Sequence, residues 1–223
     1  MKKYDDPSKH PLPQKDKICY TRYMKTSPDT SYKKATQALN FLARKKDGNV
    51  INKMKAIKLI YLADRLHLRK YGRPIVGDTY WAMKLGPVGS KTKKVAELNL
   101  SDNILSYTKK YIKPVDDKKQ SYISLKEPDL DVFSKTDIEC LEAVNTTFSD
   151  RDQFELAELT HKYPEWSKYE KKLKSGEKRV LMSYDDLFAD GTHNGLFGQT
   201  KTELSLAKES FDEQREVSDF FTK

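Results

Sequence analysis

Apolar residues in this chain recur three and four positions apart over several stretches, and each stretch is bounded by residues that start or stop helices. Ala35, Ala38, Leu39 and Leu42 share one helical face. They predict a helix capped by Ser31 and running through Lys46, with Asp47-Gly48-Asn49 ending it. A second helix is predicted over Lys53 to Tyr71, with Asn52 as its cap and Met54, Ile57, Ile60, Tyr61, Ala63 and Leu68 pointing inward. Gly72 stands where a left-handed C-terminal cap is wanted, and Arg73-Pro74 blocks continuation.

The pattern then changes. Thr79 to Lys84 is aromatic and compact, readable as a strand or a tight helical turn, and Leu85-Gly86-Pro87-Val88-Gly89 is expected to be irregular. Ser90 opens a helix to about Leu98. Tyr111 to Val115 and Ser121 to Leu125 flank the polar run 116–120, which predicts a hairpin with the Pro114 strand at an edge or bulge. Helix starts return at Ser134 with Asp137 and at Asp152 with Glu155, each a capping-box pattern, leading to about Phe148 and His161. Pro164 suits the first turn of a helix carrying Trp166, Tyr169 and Leu173. Ser183 with Asp186 starts a short helix with Leu187 and Phe188. After Gly191, Gly195 and Gly198, the stretch from Thr200 to Lys223 can form an amphipathic helix. The fold class this predicts is mainly α (α+β): a helical domain with a small β-hairpin or sheet element. Residues 1–30, with Pro7, Pro11, Pro13 and Pro28, read as an N-terminal extension. Residues 31–190 read as the domain, and 191–223 as a C-terminal tail that can form a helix.

Charge adds a partner preference. The 223 residues carry 42 basic and 33 acidic side chains, a net +9 that favours an acidic partner, protein or nucleic acid. The cations are 34 lysines and 8 arginines. Lysine is a solvated point charge and lacks the planar fork that reads guanine, so the bias favours loose attraction over sequence-specific DNA reading. From Gly195 on, the balance inverts to 4 basic against 6 acidic residues. No apolar run approaches the roughly 18 residues of a membrane span, so no membrane partner is expected. Met1 to Asp6 has no apolar stretch behind it, so no secretory signal is expected. Cys19 and Cys140, far apart, make no disulfide framework or zinc spacing; a reducing cytoplasm is the expected location.

Candidate chemistry is sparse, and no enzyme is expected. The glycines of 191–198 do not follow a strand in a βαβ unit, so a phosphate loop is not expected. Asp64 and His67 share a helix face, which suits a metal or proton relay, or a hydrogen-bonding pair that fixes the helix. Two ligands on one helix do not complete a metal site. His161, at a helix end, reads as a dipole partner or polar anchor. Lys53, Lys55, Lys58, Arg65, Arg69 and Lys70 make the second helix basic, a nucleic-acid face or a solvated one. Tyr80, Trp81, Pro87 and Val88 read either as core sealing a small sheet or as surface anchors of the kind that dominate interfaces. No catalytic residue, cofactor or metal is expected.

Residues 58–75, KLIYLADRLHLRKYGRPI, resemble the signature helix and turn of the Panacea domain. Residues 78–88, DTYWAMKLGPV, resemble that family's second block, in matching order and spacing. Leu159-Thr160-His161 with Pro164-Glu165-Trp166 resembles a looser third block, and Tyr184 to Phe188 its end. The resemblance implies a mostly helical domain with a small β element that acts as an antitoxin of bacteria or phages, including in phage defence. Its implied partner is a cognate protein toxin, in some relatives alarmone-synthetase-like. One relative, SocA, is a protease adaptor for its toxin. Adaptor action is therefore one alternative to direct neutralisation, and DNA-binding autoregulation, which the net +9 charge suggests, is the other. The resemblance carries no catalytic residue, and it implies that Asp64, His67, Gly72, Tyr80, Gly86, Pro87, His161 and Trp166 frame the fold. Candidate partner-binding residues are Tyr20, Arg22, Tyr23 and Met24 in the extension, with Trp81 and Lys84.

Overall fold

The structure, a computed structural model, describes residues 28–189 and 195–220. Helix α1 (Pro28–Arg44) leads through a 3-10 turn at Asp47–Asn49 and strand β1 (Val50–Asn52) into α2 (Lys53–Tyr71). Ser31 does not cap α1: the helix already includes Pro28, and Ser31 is buried inside it. Proline is tolerated there because a first-turn N–H has no helical partner. Ala35, Ala38, Leu39 and Leu42 are all fully buried, as their spacing predicts.

Helix α2 has the predicted ends. Asn52 accepts from the Lys55 N–H, and Gly72 adopts φ +69° with its N–H donated to the Leu68 carbonyl. Its interior is not amphipathic. Every residue from Ala56 to Arg69 is buried, because α2 is an axle with other elements on all sides. The expectation of a basic face on this helix is thereby corrected: Lys58, Arg65 and Arg69 point into the protein.

Strand β2 (Tyr80–Met83) pairs antiparallel with β3 (Gly86–Gly89), Trp81 opposite Val88 and Ala82 opposite Pro87. The expectation of irregular structure over 85–89 is corrected. β3 lies at the edge of the sheet, in the order β3-β2-β6, where a strand proline is tolerated. Helices α3 (Ser90–Glu97) and α4 (Asp102–Lys109) follow; α4 carries no strong sequence signal and was not expected. Strands β4 (Ile112–Pro114) and β5 (Ser121–Ser124) form the predicted hairpin. β4 is at the edge and β1 adds to the other side, in the order β1-β5-β4.

Both capping boxes are present, at Ser134 and Asp137 before α5 (Lys135–Phe148) and at Asp152 and Glu155 before α6 (Gln153–His161). The helix expected from Pro164 is two: α7 (Pro164–Ser167) and α8 (Glu170–Lys174). Strand β6 (Arg179–Leu181) pairs with β2, and the segment after Ser183 is a 3-10 turn, Tyr184–Phe188. Helix α9 (Lys201–Phe220) buries Leu204, Ala207 and Phe211. Phe197 and Phe211 belong to the same core as Leu39 and Leu59. A Cβ on Gly72 would lie 2.5 Å from the Ala207 carbonyl oxygen, so this glycine serves both the cap and the approach of α9.

Candidate partner-binding site

The hairpin β2–β3 is held from inside by two buried carboxylates. Asp64 of α2 accepts from the N–H groups of Ile75 and Val76 (3.0 and 2.9 Å) and from the Tyr80 hydroxyl (2.8 Å). Burial raises its pKa to about 7 against these hydrogen bonds. Asp78 accepts from the N–H groups of Thr79, Lys91 and Thr92, so a residue before the hairpin caps the helix after it. Its carboxylate fills the space a side chain on Gly89 would need. Burial raises the Asp78 pKa as well.

His67 does not pair with Asp64. Its Nδ1 lies 2.7 Å from the Arg73 carbonyl, which assigns the proton to Nδ1, and its Nε2 lies 2.9 Å from the Thr136 hydroxyl. Burial lowers its pKa to about 4, so the ring is neutral at pH 7. Asp137 stands 3.1 Å from the ring and 2.9 Å from both Lys34 and Arg73. Burial raises the Asp137 pKa, but the hydrogen bonds from Lys34 and the Ser134 N–H and the charges of Lys34 and Arg73 prevail. The carboxyl stays below the usual range. Arg65 donates to Glu165 at 2.5 Å and lies over the rings of Tyr163 and Phe197 (4.1 and 4.6 Å). Arg69 donates to the carbonyls of Leu187 and Ala189.

Lys58 is different. Its ammonium, 1 % exposed, donates to the Pro87 carbonyl at 2.7 Å, and no carboxylate among the described residues lies within ion-pair distance. Burial lowers its pKa to about 7. A Cβ on Gly86, whose φ is +92°, would lie 2.8 Å from this ammonium and 2.5 Å from the Thr160 hydroxyl. Gly86 therefore lets α2 and α6 close behind the hairpin.

In front of this frame, a cleft of about 450 Å³ opens beside the hairpin turn. Lys84 comes from that turn, His161 from the end of α6, Trp166 from α7, and Glu170, Leu173 and Lys174 from α8. The His161 imidazole stacks on the Trp166 indole (3.8 Å between centroids, 18° between planes), and the indole N–H donates to the Met83 carbonyl at 3.0 Å. Burial, then the charge of Lys58, lowers the His161 pKa. Glu170 pairs with Lys174 at 2.9 Å, whereas exposed Lys84 makes no ion pair with a described residue. Trp81 does not line the cleft. It lies half-buried on the outer sheet face, with its N–H on the Ser90 hydroxyl and the Arg179 guanidinium 4.3 Å over its ring.

The structure thus brings Lys84, His161 and Trp166 together, places Trp81 on the adjoining sheet face, and assigns Asp64, His67, Gly72, Gly86 and Pro87 to the frame behind. Tyr20, Arg22, Tyr23 and Met24 lie outside the described residues. Sequence reasoning missed Asp78 and Glu165, whose partners come from other elements, and Glu170 and Lys174, which pair within α8 and meet the other cleft residues only through packing. Cys140 is buried, and burial raises its thiol to about 12. Among the described residues no group of three His, Cys, Asp or Glu could hold a metal ion, and no helix is long and apolar enough to cross a membrane.

These features define a mainly α domain in which buried Asp64, Asp78, Asp137 and Arg65 are used in structural bonds and a cleft opens beside one hairpin. Residues 57–167 match the family model of the antitoxin SocA-like, Panacea domain. The matched segment includes α2, the hairpin, α6 and Trp166. No curated protein and no solved structure matches the chain.

Proposed function

We propose that this chain is the antitoxin of a toxin–antitoxin pair and neutralises a cognate protein toxin by direct binding in the cytoplasm, without catalysis of its own. The observation that carries the reading is the match to the antitoxin SocA-like Panacea domain over residues 57–167. The chemistry of the interior supports it. Asp64, Asp78, His67 and Arg65 are each bound to backbone or to a fixed partner, the condition of a frame and not of a reacting site. Trp81 with the Arg179 guanidinium over its ring has the residue types that anchor protein interfaces, and exposed Lys84, with no ion pair to a described residue, adds a charge at the adjoining turn.

Specificity on this reading comes from two surfaces: the hairpin side with Trp81 and Lys84, and the extension with Tyr20, Arg22, Tyr23 and Met24. An alarmone-synthetase-like toxin is the first partner to test. The experiment is co-expression with the product of the adjacent reading frame. That product should arrest growth alone, be harmless beside the full chain, and co-purify with it. Removing residues 1–27, which precede α1, should abolish rescue while the rest of the chain still folds. A harmless neighbour that never associates with the chain refutes the reading.

A further inference from the structure

We infer that the cleft lined by Lys84, His161, Trp166, Glu170, Leu173 and Lys174 receives an acidic side chain of the partner protein. This deepens the proposed function and rests on it. Size is the first argument: about 450 Å³ accommodates one or two side chains but not a folded element. Charge is the second. Lys84 stands at the turn between β2 and β3 with no ion pair to a described residue, and Lys174 has a single carboxylate, Glu170, at 2.9 Å. Behind the wall, the ammonium of Lys58 is buried on a lone carbonyl with no counter-charge among the described residues. Its field reaches His161, which lines the cleft. The lining itself holds two lysines, Lys84 and Lys174, against one carboxylate, Glu170, which leaves it net positive; behind it Lys58 adds to this charge at His161 and Glu158 subtracts from it. A cationic side chain entering here would meet Lys84 and compete with Lys174 for Glu170.

The walls suit the rest of such a side chain. Trp166 has its N–H occupied by Met83, so the stacked His161–Trp166 pair and Leu173 offer apolar contact to methylenes without leaving the indole donor unpaired. An acidic residue on the partner would reach Lys84 at the rim of the cleft.

The test uses the full chain and the tagged product of the adjacent reading frame, with affinity measured by calorimetry. Lys84→Glu, an exposed substitution whose folding is verified by circular dichroism and unfolding, should weaken binding by about tenfold or more. Lys84→Arg should stay within about twofold, and Lys118→Glu, an exposed cation of the other hairpin, should have little effect. Zero-length carbodiimide coupling of the complex should join Lys84 to an aspartate or glutamate of the partner. If the wild-type complex forms and Lys84→Glu leaves its affinity unchanged, the cleft assignment is overturned and the antitoxin reading stands. If the wild-type chain does not bind the neighbour, the antitoxin reading itself fails. Binding of a DNA duplex that Lys84→Glu alone weakens, with partner affinity unaltered, would assign the lysine to phosphate and also overturn the proposal.

Discussion

At the scale of single residues, the interior holds charges that an apolar core would reject, and their neighbours decide what each costs. Asp137 has Lys34 and Arg73, and Arg65 has Glu165, whereas Lys58 has one carbonyl. Its folded pKa of about 7 lies below the ordinary 10.5. The unfolded chain therefore binds the extra proton between those values, and stability rises with pH through that window. The cost of burying the charge is fully present below about pH 7. Lys58→Met keeps most of the volume and removes the charge, so it should exceed the wild type in stability at pH 6. The gap should shrink by about 2–3 kcal/mol at pH 9, where the lysine is largely neutral. Urea unfolding at both values measures it, and a gap independent of pH would contradict an unpaired buried ammonium. His67 works in the same direction at lower pH. Its depressed pKa of about 4 means that stability is lost as pH falls from 6.5 toward 4.

At the scale of elements, turns and caps couple pieces that are adjacent in sequence but differ in kind. Asp78 ties the entry of β2 to the first turn of α3, and Gly89 leaves the space that its carboxylate fills. Gly89→Ala should push Asp78 off the Lys91 and Thr92 N–H groups and destabilise the protein by about 2–4 kcal/mol. Thermal unfolding should then show a drop of several degrees. An unchanged midpoint would mean that the hairpin does not depend on that cap. The same elements show what local pattern conveys. Asn52, Gly72, Ser134 with Asp137, and Asp152 with Glu155 all mark ends where the sequence places them, because caps are satisfied within a few residues. Strands β1 and β6 were not legible, since each has three residues and takes its pairing from a distant partner, as Arg179 does from Met83; β3 pairs with adjacent β2, but its Gly86-Pro87-Val88-Gly89 composition reads as irregular.

At the scale of the whole molecule, α2 is the axle and α9 closes it. Leu204, Ala207 and Phe211 of α9 are buried, and Phe211 lies against Tyr184 and Phe188. A chain ending at Thr200 should lose about 4 kcal/mol from the burial that Leu204 and Phe211 no longer supply. Chemical unfolding would show the lower midpoint, and increased dye binding would report the exposed apolar face. Full stability in that truncation would show that α9 is dispensable to the fold.

The sequence by itself determined both ends of α2 and the starts of α5 and α6, the mainly α class, the β4–β5 hairpin and the blocks by which residues 57–167 match the Panacea model. These follow from periodicity, capping and short-range turn chemistry, which act over one to four residues. Only the tertiary structure decided that the basic side chains Lys58, Arg65 and Arg69 face inward, and that Lys84, His161 and Trp166 meet around one cleft. A lysine on a helix reads the same whether water or protein lies beyond it. Which one does is fixed by packing between residues many tens of positions apart, as with Arg65 and Glu165.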